Sequence, residues 1–282
     1  MPPPVMELYD ISYTYPDGTE ALKNITAKIF SGESIAIAGP NGAGKSTLLL
    51  IMAGLLAPSS GEVKIFGRII DGKMINDAKK MYEVRKRIGI VFQDPDVQLF
   101  SSTVHDDVAF GPIHLGMNMD EIESKVGDTL KFLGLEHVAE KHPYELSGGE
   151  KRKAAIATVL VSSPEVLLLD EPTADLDPKS RKEFVELLKK LKEGGKTIVI
   201  ATHDMEVLPE IAERIIVIDR EKVTEGPARD VLMDEKLLDK ANLDVPVVAR
   251  LFKMLESSGL NCDEIPFNTD SAIEIIKKLM KS

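Results

Sequence analysis

Gly39-Pro40-Asn41-Gly42-Ala43-Gly44-Lys45-Ser46 has the spacing G-x-x-x-x-G-K-[ST], which suits it to hold phosphate. Its glycines let the backbone N–H groups from Asn41 to Ser46 turn inward around a β-phosphate. A helix starting there adds the positive end of its dipole. Lys45 can then reach the β- and γ-phosphates, and the Ser46 hydroxyl can bind Mg²⁺. Read alone, the same stretch is also compatible with a surface turn capped by an ordinary helix. A second stretch, Val166-Leu167-Leu168-Leu169-Asp170-Glu171, runs four apolar residues into two carboxylates. An apolar strand ending beside the phosphate loop puts Asp170 on the metal's water shell. Glu171 is then free to poise a water for in-line attack on the γ-phosphate. Many parallel strands end in acidic residues, so this second motif draws its weight from the first.

The elements that must position these groups alternate between strand and helix, which predicts an α/β fold with a largely parallel sheet. Ser34 to Ala38 reads as a buried strand entering the glycine-rich turn, and Ser46 to Leu56 as the helix leaving it. Further strands are expected at Ile88 to Phe92, Val166 to Asp170 and Thr197 to Thr202. Ser180 to Glu193 places Phe184, Leu187, Leu188 and Leu191 on one helical face. Asp177-Pro178 supplies its N-cap and first-turn proline. From about Asp94 to Pro164 helical patterns dominate (Asp120 to Leu133; Lys151 to Val161), so this reads as a helical subdomain inserted into the core. Ile215 to Asp219, a turn at Arg220 to Lys222 and Val223 to Gly226 form a hairpin. The chain is helical again from about Pro227. Its last helix, Ser271 to Lys281, groups Ile273, Ile276, Leu279 and Met280 on one side.

Leu146-Ser147-Gly148-Gly149-Glu150, upstream of Asp170-Glu171, resembles the signature motif of ATP-binding-cassette proteins. Ser147 also suits the N-cap of an ordinary helix. The other family motifs follow in order. Tyr15 resembles the aromatic residue that stacks on adenine, with Tyr13 as the fallback. Gln93 resembles the glutamine that touches Mg²⁺ and the attacking water. Ala174-Asp175-Leu176-Asp177 resembles the loop crossing the dimer seam, with Asp177 in the acidic position. Asp175 departs from the usual small residue, which leaves its role open. His203 resembles the switch histidine that contacts the γ-phosphate.

The resemblance covers residues 5–230 and implies a P-loop NTPase core of the ATP-binding-cassette type, with residues 94–164 inserted and 231–282 a small helical extension. It implies an ATPase with ATP and Mg²⁺ as its cofactors. Nucleotide contacts run from Gly39 and Pro40 through Asn41, Gly42, Ala43, Gly44, Lys45 and Ser46 to Thr47. Ser46, Gln93 and Asp170 serve the metal; Glu171, His203, Gln93 and Lys45 do the chemistry. It also implies a head-to-tail dimer in which Ser147, Gly148 and Gly149 of one subunit meet the γ-phosphate held by the other. Both halves of each composite site are present, which favours a homodimer.

Val91-Phe92-Gln93-Asp94-Pro95-Asp96-Val97-Gln98-Leu99-Phe100 resembles the hallmark of energy-coupling-factor transporters, importers of vitamins, cobalt or nickel. Val97, Leu99 and Phe100 would line a groove for a membrane partner's coupling helix, or simply pack the subdomain. Leu237 to Leu243 and Val245 to Val248 resemble the tail of cobalt-type subunits, which in the family helps hold the two ATPases together. Residues 257–282 match nothing specific and suit a solvated cap. The resemblance thus implies a peripheral protein on the cytoplasmic face of the cell membrane, partnered by an integral scaffold and a substrate-binding membrane subunit. Cobalt is the favoured cargo. A soluble ATPase serving a cytosolic assembly, such as iron–sulfur cluster building, is the alternative, and a regulatory module that seldom hydrolyses is a weaker one.

Composition fits this picture. A net charge of −11 argues against nucleic acid as a partner, which needs clustered cations, and against direct adhesion to anionic lipid. No apolar run approaches the roughly 20 residues a spanning helix needs. A lone cysteine, Cys262, excludes an intrachain disulfide and suits a reducing compartment. Met1 to Pro4 shows no secretory signal.

Overall fold

The computed structural model describes residues 3–259, 262 and 264–280. Pro4–Thr14 (β1) and Glu20–Phe30 (β2) pair antiparallel, and Ser34–Ala38 (β3) then runs wholly buried to the glycine-rich loop. Lys45–Met52 (α1) follows, then Ser60–Ile65 (β4), Arg68–Ile69 (β5), Gly72–Ile75 (α2), Ala78–Arg85 (α3) and Ile88–Val91 (β6). Three helices intervene before the next strand: Val104–His114 (α4), Met119–Leu133 (α5) and Gly148–Leu160 (α6). The core resumes with Val166–Asp170 (β7), Pro178–Glu193 (α7), Thr197–Thr202 (β8), Leu208–Ile211 (α8), Arg214–Asp219 (β9) and Glu221–Pro227 (β10). Ala228–Met233 (α9), Glu235–Lys240 (α10), Val247–Ser257 (α11) and Thr269–Leu279 (α12) complete the chain.

Two sheets result. One has the order β10-β9-β3-β8-β7-β6 and is parallel except for the β9–β10 hairpin. The other, β2-β1-β4-β5, is antiparallel, an arrangement the alternating-element reading did not anticipate. The parallel strands are buried on both faces, and successive residues serve different cores. Ala36, Leu167, Leu169, Ile198 and Ile200 join α4 to α7 in one cluster. Ile35, Ile37, Leu168 and Val199 join α1 and the antiparallel sheet in the other.

Several predicted ends move. The helix expected to reach Leu56 stops at Met52, because Gly54 takes a left-handed turn (φ 64°) with Met81 against it. The strand at Ile88 ends at Val91, before Phe92. The hairpin turns on Arg220 alone (φ 60°), so β10 begins at Glu221. The helix expected from Lys151 starts at Gly148, with Ser147 as its N-cap. The last helix starts at Thr269 on an Asn268 cap, and Lys281 lies outside the described residues. Its inward groups are Ala272 and Ile275; Ile273, Ile276 and Met280 are exposed.

Candidate nucleotide-binding site

Two glycines of the phosphate loop, Gly39 and Gly44, lie where main chain leaves no room for a side chain. A Cβ on Gly39 would stand 2.3 Å from the Ile218 carbonyl oxygen, and one on Gly44 (φ 91°) 2.4 Å from that of Ala21. Gly44 is the N-cap of α1, which aims the helix's first N–H groups into the loop. Lys45 is buried, and its Nζ donates to the carbonyls of Gly39 (2.8 Å) and Pro40 (3.1 Å). It also pairs with Glu171 at 3.3 Å.

Glu171 follows the end of β7 with φ 42°, a conformation in which its N–H donates to Ala201 O of β8. Its carboxylate accepts from Thr202 Oγ1 (2.8 Å) and His203 N (3.1 Å), and its Oε1 lies 2.8 Å from His203 Nδ1. A strained backbone thus brings a buried acid to the end of two neighbouring strands, where three groups fix its orientation. Thr202 went unremarked in the sequence; a hydroxyl closing an otherwise apolar strand was its signal.

Asp170 is buried with no hydrogen-bond partner for Oδ1. Burial pushes its carboxyl above the usual carboxylate range, against an opposing hydrogen bond from Ser46 and the nearby Lys45 cation; the Glu171 charge adds to the upward push. A raised carboxyl contributes stability only below its ordinary pKa, and that contribution is lost as pH rises through the folded value. Above its ordinary range the carboxyl therefore costs stability. Asp170→Asn should raise the midpoint of thermal unfolding of the nucleotide-free chain by roughly 2–4 °C per 1 kcal/mol relieved. The difference should close as the pH falls into the carboxylate range. A lower midpoint for the variant at pH 7 would show that the ionised carboxyl is not the costly form.

Tyr15, Gly42 to Thr47, Gln93 and Glu171 line one cavity of ≈ 370 Å³, which also takes in Arg220. Tyr15 is exposed, its hydroxyl 2.9 Å from Thr47 Oγ1, and Tyr13 stands edge-on behind it at 5.0 Å. A second cavity of ≈ 670 Å³ holds Pro40, Asn41, His203 and Asp175, and shares Glu171 and Asn41 with the first. Ser147, Gly148 and Gly149 line neither cavity. Ser147 forms a capping box with Glu150, and Gly149 has Ser180 so close that a Cβ would meet its Oγ at 2.7 Å. Asp177 is spent on its own helix, accepting from Lys179 N, Ser180 N and Ser180 Oγ, bonds that hold its carboxyl below the usual range. Of the three apolar groups after Gln93, Leu99 is buried, whereas Val97 and Phe100 are 65% and 64% exposed.

Comparison with known proteins agrees with this geometry. Residues 22–174 match the ABC transporter family. The chain is 43% identical over 261 residues to the energy-coupling factor transporter ATP-binding protein EcfA of Methanothermobacter thermautotrophicus, spanning 92% of this chain and 82% of that one. Its fold superposes on cbiO1 from Clostridium perfringens, part of the ABC transporter complex cbiONQ, with a TM-score of 0.75 and 40% identity over 90% of this chain and 99% of the other. It also superposes on the ATP-binding cassette MJ0796, in a dimeric post-hydrolysis state with ADP and Pi. There the TM-score is 0.72 and the identity 35%, over 79% and 99%.

Proposed function

This chain belongs to the ABC transporter family, and from that premise we propose that it is the ATPase of an energy-coupling-factor importer. It binds and hydrolyses ATP and energises a transporter. The observation that carries the finer reading is the exposed apolar ledge directly after Gln93. Val97 and Phe100 stand out of the surface, and Phe100 meets Phe110 edge-on at 4.9 Å. Such a ledge suits a helix of a membrane partner, and it lies on the segment that follows Gln93, which lines the phosphate cavity. Among the described residues no helix is long and apolar enough to cross a membrane, so an integral scaffold and a substrate-binding subunit would hold this chain at the cytoplasmic face. Cobalt is the favoured cargo on the resemblance of Leu237 to Leu243 and Val245 to Val248 to the tail of cobalt-type subunits, with nickel and vitamins next.

Residues 5–230 act as the ATPase domain, with 94–164 as its helical insert. Tyr15 offers its face to the adenine, and the loop from Gly39 to Thr47 takes the phosphates. The buried, unpartnered Oδ1 of Asp170 beside Ser46 fits a divalent cation. Ser46, Asp170 and Gln93 would hold Mg²⁺, which when bound neutralises charge on the β- and γ-phosphates. Lys45 turns from its loop carbonyls to the phosphates. Glu171, held by Thr202 and the His203 N–H, orients the attacking water, and His203 supports the developing charge. The partner subunit's signature helix, through Ser147, Gly148 and Gly149, closes on the γ-phosphate, with Asp177 ordering the loop at the seam. We favour two copies of this chain. Residues 231–282 would help hold them, since Val247, Leu251 and Met254 form an exposed stripe on α11.

The test is recovery of the protein from its native membranes in mild detergent. A small integral scaffold with a substrate-capturing membrane subunit is the expected company. Soluble partners alone would overturn the importer reading and favour a cytosolic assembly.

A further inference from the structure

Arg152 lies in the second turn of α6, five residues past Ser147, and is only 4% exposed. Its guanidinium donates to main-chain carbonyls of two loops: Phe92 (3.3 Å) and Gln93 (2.5 Å) after β6, and Ala174 (3.2 Å) after β7. Its Nε has no hydrogen-bond partner. A side chain that merely filled this volume would be apolar, because a buried cation carries a heavy desolvation penalty. A structural ion pair would aim the fork at a carboxylate. This fork is aimed at backbone, and so fixes where two loops run relative to one helix. Burial depresses the guanidinium's basicity, and the charges of Asp175, first, and Asp94 offset it. Asp175 itself is left-handed (φ 60°), a conformation short polar residues tolerate.

We propose that Arg152 is a positioning residue that registers the Gln93 loop and the Ala174–Asp177 loop on the signature helix. The proposal rests on the ATPase reading of the site. Ser147 caps the helix that carries Arg152, and the side chain joins that helix to the loop of Gln93 and to the loop that leads from Ala174 to Asp177.

The full chain tests this through R152Q and R152K. R152Q should lower kcat for ATP by at least roughly tenfold, as a misplacement of under 1 Å can, with KM within about threefold of the parent. R152K should recover part of the loss, since an ammonium still donates to carbonyls but without the fork. Hydrogen exchange on the nucleotide-free chain needs no turnover, so it separates failure of this proposal from failure of the ATPase reading. R152Q should speed exchange in both residues 92–95 and 174–177. Parental turnover in R152Q would overturn the proposal. So would a kcat loss that merely follows the fall in unfolding midpoint, or exchange unchanged in either loop. If R152Q fails to fold, R152K carries the same readouts.

Discussion

Glu171→Gln should lower steady-state ATP turnover by roughly 10²–10⁴-fold, the range over which a positioned base contributes. The substitution keeps the volume of a group that is 5% exposed, and an amide oxygen can still accept from Thr202 and from the His203 N–H. What it removes is the charge facing Lys45 at 3.3 Å and the ability to take a proton from water. Binding should survive, because Lys45 keeps its loop carbonyls as partners until phosphate replaces them. With hydrolysis blocked and binding intact, an ATP-dependent dimer should accumulate, visible as a doubling of mass by light scattering. Turnover close to that of the parent would remove Glu171 as the base. Loss of ATP binding along with turnover would show that its bond to Lys45 builds the loop.

Gly44→Ala should be the most damaging single-methyl change in the phosphate loop. The residue sits at φ 91°, where a side chain costs about 1–3 kcal/mol in backbone strain. The added carbon would also stand 2.4 Å from Ala21 O and 2.6 Å from Leu22 Cδ2. Ala21 and Leu22 belong to β2, locked against β1, so the loop rather than the strand must shift. A shift of that size should lower kcat/KM for ATP by roughly 10²-fold. Gly42→Ala is the internal control. Gly42 has φ 81° but nothing within 4 Å of its added carbon, so it should lose stability from strain and far less activity. Equal damage from both changes would mean that strain alone, and not the contact with β2, sets the loop.

The strands that carry the site were legible because parallel strands covered on both faces are short unbroken apolar runs. Val166 to Asp170 and Thr197 to Thr202 begin and end where the sequence places them. The glycine and acid punctuation at their ends then put Lys45, Gln93 and Glu171 around one cavity. The antiparallel sheet was not legible. β1 is half-buried, with register shifts that break the period-two alternation, so Met6, Leu8 and Ile11 do not read as one face. Nor could the sequence single out Arg152, one of three consecutive basic residues. Lys151 and Lys153 make ordinary surface ion pairs with Asp96 and Glu183, and only the packing of α6 on two loops buries the middle one. The last helix misled for a related reason. Ile273 and Ile276 are exposed, while Ala272 and Ile275 pack inward.

The parallel sheet belongs to both cores at once. Leu168 points into one and Leu169 into the other, as do Val199 and Ile200, Ile35 and Ala36. Neither half of the molecule owns a sheet face that it could keep after the other half came apart. Loss of either cluster would therefore strip one face from strands that the other cluster also needs. The helices between β6 and β7 thus cover one face of the same strands that present Glu171, so displacing those helices would uncover Leu167, Leu169, Ile198 and Ile200.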